Sequence, residues 1–391
     1  MKVRVNKNST SRHFYLPCAL LIFSVFFLLV SCQQNQPDEK PVKIGVIAYL
    51  QGAFAETEGH PTENAARMAL RDFEAKGGLV VNGQKKRIEL IVEGIERSSE
   101  ASVASARKLI NRDGVVAVVG PQYSSDAIPA GAIAEMSLVP MICPVSTNPA
   151  TTKDRKFVFR MSFLDPVQGE AMANLAFVDL EARRAAVLFD EADEYSRGIA
   201  EVFQNIFIEH GGSVTVEKYI PGDGDLKDKL TRIRLAQPDV LFLPSFHDQV
   251  VEQVALARQL GIKSTILGAD GWDQRAVPGL ANFDKSYFSV HWSPLVKSEQ
   301  NLLFNKEYQN VYSSEPNGTA ALTYDALQMI LAAMQQQQKT DPDSIRNGLM
   351  ELPTYPGVGG EVDFVASGDP EKGVLILHVR NGTAEFFKSL K

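Results

Sequence analysis

Cysteine is nearly absent from this 391-residue chain: Cys18, Cys32 and Cys143 are the whole supply, and only Cys143 lies beyond residue 40. A disulfide within the body of the protein is thereby excluded. Cys143 closes the apolar run Leu138-Val139-Pro140-Met141-Ile142-Cys143 and reads as a small buried hydrophobe. Long apolar runs are missing after residue 30, so nothing in the body reaches the ~20 residues that cross a bilayer. The dipeptide Gly-Lys does not occur, which removes a P-loop. The first strand runs into Tyr49-Leu50-Gln51-Gly52-Ala53-Phe54, without the spaced glycines that cradle a dinucleotide, and no Gly-x-Ser-x-Gly elbow seats a hydrolase serine. The six histidines are scattered and no two share metal-ligand spacing on one helix, so neither a metal nor a cofactor is expected. The adjacent carboxylates Asp190-Glu191 and Asp193-Glu194 read as solvated loop charges. These patterns give no support to an enzyme.

Positive charge is also in deficit, with 40 Lys and Arg against 47 Asp and Glu. Four of the basic residues, Lys2, Arg4, Lys7 and Arg12, stand in an N-terminus without an acidic residue among its first 31 positions. Residues 16–30 are almost wholly apolar, the length of a signal-peptide core and short for a spanning helix. Leu29-Val30-Ser31-Cys32 resembles a bacterial lipobox. That resemblance implies a lipid thioether on Cys32, cleavage after Ser31, and a polar tether over residues 32–40. Loss of residues 1–31 leaves 36 basic against 47 acidic residues, a formal charge of −11. Such a balance argues against nucleic acid as a partner and against anionic lipid beyond the anchor itself. The remaining chain exceeds one ordinary core and predicts two domains.

From Val42 onward the pattern alternates strand and helix. Val42-Lys43-Ile44-Gly45-Val46-Ile47-Ala48 predicts a strand, and a helix beginning near Pro61 stops at Lys76-Gly77-Gly78. Strands are expected at Ile88-Glu89-Leu90-Ile91-Val92 and at Val115-Val116-Ala117-Val118-Val119, the latter apolar throughout, as for a parallel strand buried on both faces. Between them lies a helix capped by Ser98 or Ser99. A second cycle starts after residue 160, and its helix over about 195–209 ends at His210-Gly211-Gly212. Strands follow at residues 214–216, 240–243 and 264–267, with helices over about 226–235 and 250–260. Two longer helices, about 298–311 and 319–335, precede terminal strands at 360–365, 374–380 and 385–388. The fold class is therefore α/β, with two doubly wound parallel-sheet lobes.

Ligands of such sheets bind beyond the carboxyl ends of the strands, and the polar residues concentrate there. Pro121-Gln122-Tyr123-Ser124-Ser125-Asp126 places hydroxyls at a helix start, where backbone N–H groups and the helix dipole suit a carboxylate; Ser124 or Ser125 also serves as an N-cap. Pro144-Val145-Ser146-Thr147-Asn148-Pro149 adds donors, and Gly268-Ala269-Asp270-Gly271-Trp272 puts a carboxylate and a large aromatic at another strand end. Trp272 suits either a pocket wall or core packing.

Over about residues 41–390 the chain resembles the leucine/isoleucine/valine-binding family of ABC-transporter substrate-binding proteins, of the type I periplasmic binding protein fold. The stretches that carry the resemblance are Val42-Lys43-Ile44-Gly45-Val46, Val118-Val119-Gly120-Pro121, Pro144-Val145-Ser146-Thr147, Phe189-Asp190 with Tyr195-Ser196-Arg197-Gly198, Leu267-Gly268-Ala269-Asp270-Gly271, and Thr323-Tyr324-Asp325-Ala326-Leu327. It implies a clamp for an amino-acid zwitterion. The family's carboxylate-binding serine falls on Ser124, its next contacts on Val145 and Thr147 with Ser146 between, its second-lobe tyrosine on Tyr195, and its ammonium-binding acid on Asp270. A further tyrosine becomes Phe246, Tyr123 stands where some relatives have a disulfide cysteine, and the first-lobe tyrosine loop reads Glu56-Thr57-Glu58. Tyr195, Phe246 and Trp272 would wall the ligand side chain. The resemblance further implies lobe 1 at residues 41–162 plus 292–360, lobe 2 at 163–291 plus 361–391, and a hinge of three crossovers. It also implies an extracytoplasmic, lipid-anchored receptor that serves an ABC permease. A sensory module, or a scaffold lipoprotein with a vestigial cleft, remains open beside it.

Overall fold

The computed structural model describes residues 40–222 and 224–390. The expected signal segment, residues 1–31, and Cys32 lie outside the described residues. Strand β1 (Val42–Gln51) leads to helix α1 (His60–Ala75), a small hairpin of β2 (Leu79–Val81) and β3 (Gln84–Lys86), and strand β4 (Ile88–Glu96). Then come α2 (Ser99–Arg107), β5 (Ala117–Val119), α3 (Ser124–Met136), β6 (Met141–Cys143) and β7 (Val158–Arg160). Strands β1, β4, β5, β6 and β7 form one parallel sheet in the order β4-β1-β5-β6-β7.

The second cycle repeats this plan. Helix α4 (Asp165–Asn174) precedes β8 (Arg184–Asp190), α5 (Glu194–Glu209), β9 (Ser213–Tyr219), α6 (Leu226–Ala236), β10 (Val240–Leu243), α7 (His247–Gln259), β11 (Thr265–Gly268) and β12 (Tyr287–Val290). Helices α8 (Glu299–Tyr312), α9 (Gly318–Gln337) and α10 (Pro342–Glu351) follow, then the hairpin β13 (Tyr355–Gly357) and β14 (Gly360–Val362), and finally β15 (Val374–Arg380) and β16 (Thr383–Leu390). The second sheet has the order β16-β15-β12-β11-β10-β8-β9, with β15 and β16 added antiparallel at one edge. Leaving aside hairpins and added strands, each sheet winds 2-1-3-4-5, with its reversal beside its first strand: β1 in one, β8 in the other.

Helices cover both faces of both sheets, which is why central strands such as β5 and β10 carry unbroken apolar residues rather than an alternation. Ile44, Val46, Val119 and Ile142 pack on one face against Ala66 and Ala69 of α1 and Leu322, Leu327 and Ile330 of α9. On the opposite face Ile47, Val118, Met141 and Cys143 meet Ala106, Ala127, Ala130 and Ala134. Cys143 is fully buried and free, and burial pushes its thiol up to about 12, so it behaves as a hydrophobe. In the second sheet Val187, Phe242 and Leu267 face Phe203 and Phe207 of α5, while Leu188, Leu241 and Ile266 face Leu230, Val250 and Val254 of α6 and α7.

Several expectations shift. Strand β5 begins at Ala117, two residues late, and the expected strand at 360–365 ends at Val362, leaving one isolated bridge between Phe364 and Pro370. Neither serine caps α3: the N-cap is Tyr123, which supplies no side-chain bond, so the first N–H groups of α3 have no side-chain cap. Asp190 and Asp193 are not solvated. Both are buried, and Asp193 caps α5 by accepting from the backbone N–H of Tyr195 (3.0 Å) and of Ser196 (3.1 Å). Among the described residues no helix is long and apolar enough to cross a membrane, and no cluster of His, Cys, Asp and Glu could hold a metal.

Candidate functional site

The loops beyond β1, β5 and β6 of the first sheet and β8, β10, β11 and β12 of the second converge on one cavity of about 100 Å³. It is lined by Phe54, Glu58, Tyr123, Ser124, Val145 and Thr147 from the first set, and by Tyr195, Phe246, Asp270, Gly271, Trp272 and His291 from the second. Thr57, His247, Asp248, Asp273, Asn317 and Thr319 contribute further polar surface. Eight of the nine side chains expected from the sequence therefore line one cavity. Ser146 does not. Its hydroxyl lies 3.0 Å from Ser124 Oγ and 2.7 Å from Thr151 Oγ1, so it braces the serine loop from behind.

One end of the cavity gathers neutral hydrogen-bond donors, a chemistry suited to an anion. Gly120, with φ +96°, lets the chain turn after β5 where a Cβ would sit 2.6 Å from the Ile47 carbonyl oxygen, and this turn aims the start of α3 at the cavity. Ser124 Oγ and the backbone N–H groups at the start of α3, which has no side-chain cap, supply donors there. Thr147 is fully buried; its hydroxyl lies near the Asp165 carboxyl but makes no hydrogen bond of acceptable geometry, leaving a donor for a guest. The loop that carries Thr147 is held by Arg160, itself fully buried. Its guanidinium donates to the carbonyls of Ser146 (2.8 Å) and Asn148 (2.9 Å) and to Thr152 Oγ1 (2.8 Å), and pairs with Asp369 at 2.5 Å.

Asp270 stands at the end of β11. Its Oδ1 accepts from the Tyr195 hydroxyl at 2.9 Å, its Oδ2 lies 2.6 Å from His291 Nε2, and its backbone N–H donates to Gln168 Oε1 at 2.9 Å. A fixed, buried carboxylate of this kind is suited to an ammonium. Burial, with Asp270 next, drives the Tyr195 hydroxyl well above its ordinary range, so the phenol stays a donor. Asp165, buried and also near Asp270, is pushed up to about 8, chiefly by burial. Trp272 keeps both of its expected roles: one edge lines the cavity, while its Nε1 donates to the Leu243 carbonyl at 3.2 Å and its ring stacks on Phe288 at 5.6 Å. A Cβ at Gly268 would lie 2.2 Å from that ring, so glycine is required beneath it.

Three groups were not found from the sequence. Arg97, just beyond β4, sets its guanidinium 5.0, 4.5 and 4.7 Å from the ring centroids of Phe54, Tyr123 and Phe246, and its Nη2 donates to Asp193 at 2.8 Å. It thus joins the loops of one sheet to those of the other. Glu58 bonds the Thr319 hydroxyl, and burial pushes its carboxyl up to about 7. His291 holds Asp270. Only Glu58, inside the Glu56-Thr57-Glu58 loop, had a signal in the sequence; Arg97 and His291 become site residues through contacts distant in the chain.

A family model described as periplasmic binding protein matches residues 41–384. A Leu/Ile/Val-binding protein of Citrobacter freundii is 27% identical over 359 residues, covering 90% of this chain and 94% of its own length. Among solved structures, a leucine-binding protein from Thermotoga maritima superposes with a TM-score of 0.83 at 30% identity, over 90% of this chain and 99% of its own. A branched-chain amino acid transporter substrate-binding protein from Streptococcus pneumoniae, solved with isoleucine, gives 0.80 at 27% identity, over 90% and 99%.

Proposed function

Because this chain belongs to the branched-chain amino-acid-binding family of type I periplasmic binding proteins, we propose that it is an extracytoplasmic receptor that closes on one amino acid and delivers it to an ABC permease. A solute-binding role is the family's. The amino acid as ligand, the permease and the lipid anchor at Cys32 are our reading. The observation that carries it is the division of labour in the cavity. Neutral donors from the first sheet, Ser124, Thr147 and the start of α3, line the same cavity as the Asp270 carboxylate from the second, which Tyr195 and His291 hold in place. A zwitterion entering this space loses the hydration of two charges and finds a matched partner for each, the condition for burying it without a net penalty.

Because the two partners belong to different sheets, only a closed arrangement offers both, and ligand shifts the population toward closure. We assign lobe 1 to residues 41–162 with 292–360 and lobe 2 to 163–291 with 361–391, rotating about three crossovers. Calorimetry with a panel of twenty amino acids and their des-amino acids tests the reading. At least one amino acid should bind, and its des-amino analogue should bind at least tenfold more weakly. A panel with no binder, or a des-amino acid preferred over its parent, contradicts it.

A further inference from the structure

The cavity holds more negative charge than a zwitterion needs. Its lining includes four carboxylates, Glu58, Asp248, Asp270 and Asp273, and neither Lys nor Arg. On the reading above, Asp270 alone answers the α-ammonium, and neutral donors, among them the unpartnered and fully buried Thr147 hydroxyl, answer the α-carboxylate.

The other three carboxylates differ in how they are satisfied. Asp273 is held by Arg275 through Nε at 3.0 Å and Nη2 at 2.8 Å. Asp248 is exposed. Glu58 is the exception. One of its oxygens accepts from Thr319 Oγ1, the Tyr123 hydroxyl lies close beside the carboxyl, and it takes part in no ion pair among the described residues. The nearby Arg275 guanidinium is engaged by Asp273, and Arg97, over the Tyr123 ring, by Asp193. Burial pushes the Glu58 carboxyl up to about 7, with Asp273 adding to the shift. A half-buried carboxylate met only by hydroxyl groups carries a desolvation cost, and a cation arriving from the ligand offsets it. The rings of Phe54, Tyr123 and Phe246 line the same cavity and offer methylene-compatible walls beside it.

We propose, resting on the amino-acid reading, that Glu58 with Thr319 forms a second, cation-accepting subsite, and that the ligand is an α-amino acid whose side chain ends in a positive group rather than a branched aliphatic one. Glu58 then selects the substrate by its side chain, while Asp270 and Ser124 take the main-chain charges common to all amino acids.

The test uses pairs that differ only at the side-chain end: lysine against norleucine, and ornithine against norvaline. Titration calorimetry on wild type should show the better basic member at least tenfold tighter than its aliphatic counterpart. Glu58→Gln, close to isosteric, should remove that preference by weakening the basic member far more than the aliphatic one. Thr319→Val should reduce the preference part way, and guards against a Glu58 variant that fails to fold. An aliphatic member binding wild type as tightly as its basic partner overturns the subsite and leaves the amino-acid reading standing, as does a basic preference that survives Glu58→Gln. Binding of putrescine, sensitive to Glu58→Gln, with no α-amino acid bound supports the subsite and overturns the amino-acid reading. Binding of neither class overturns both.

Discussion

Replacing Arg97 by Met should weaken ligand binding without touching the ligand. The guanidinium donates to Asp193 at 2.8 Å and to Ser125 Oγ at 3.2 Å, and lies over three aromatic rings. Of these partners Asp193 and Phe246 follow strands of the second sheet; the others lie on Arg97's own side, and Met retains much of the packing there. Opening the cleft therefore breaks one ion pair and one ring contact. The side chains of Arg97 and Asp193 are 18% and 10% exposed, well short of a surface pair. Removing one partner of a fully buried pair costs about 3–5 kcal/mol. Here the abandoned Asp193 still accepts two backbone N–H bonds, so we take about 1.5–2 kcal/mol, to which the ring contact adds about 0.5–1 kcal/mol. A loss of about 2–3 kcal/mol lowers the closed-to-open ratio by about 30- to 150-fold, and apparent affinity falls by up to that factor when only the closed form carries both clamps. Calorimetry reads the affinity, and small-angle scattering reads whether the ligand-free variant is more extended. A double-mutant cycle with Asp193→Asn isolates the pair. Wild-type affinity and an unchanged scattering profile in Arg97→Met would refute the reasoning and leave Arg97 as packing.

Three further outcomes are expected. In the ligand-free protein Glu58 titrates near 7 instead of its ordinary 4.5, so its proton is held more tightly folded than unfolded. The stability this contributes is complete below pH 4.5 and lost as pH rises through 7. Glu58→Gln should thus gain up to about 3 kcal/mol over wild type above pH 7 relative to below pH 4.5, measured by urea unfolding across pH. Arg160→Met leaves Asp369 and the Ser146 and Asn148 carbonyls without their cation and should cost about 3–5 kcal/mol in the same assay, with a lowered ligand affinity as the Thr147 loop loosens. Cys32→Ser should leave the protein soluble or as unprocessed precursor, read by fractionation and intact mass of the N-terminus.

The alternation of strand and helix was legible because several strands, β5, β6 and β10 among them, are short apolar runs bounded by glycine or proline, and α1 and α5, the helices after the first strand of each sheet, end on glycines in the left-handed region, Gly77 and Gly78 in one case and Gly211 in the other. Helix α4 was not legible, and of α3 only the start was. Each is buried on most sides and carries glycine within it, and α3 also holds Pro129, so neither shows a polar face with a helical period. Helix α10 did carry a signal, Asp341 as cap followed by Pro342. In the site, residues directly after strand ends were accessible from the general rule for open α/β sheets. Arg97 was not, since the rings that enclose it come from positions 54, 123 and 246 and its counter-charge from 193. Likewise nothing in the stretch Asp190-Glu191-Ala192-Asp193-Glu194 distinguishes its buried acids from its exposed ones before the fold is known.

The central claim, that the cavity holds a zwitterion with its ammonium on Asp270, is tested most directly by calorimetry on Asp270→Asn, using the tightest-binding amino acid and its des-amino analogue. The account predicts a loss of about 2–5 kcal/mol for the amino acid, because a buried ammonium is left without its counter-charge. It predicts little change for the analogue, and a smaller loss of about 1–3 kcal/mol for Ser124→Ala, where backbone donors still hold the carboxylate. An Asp270→Asn variant that binds the amino acid as tightly as wild type contradicts the claim.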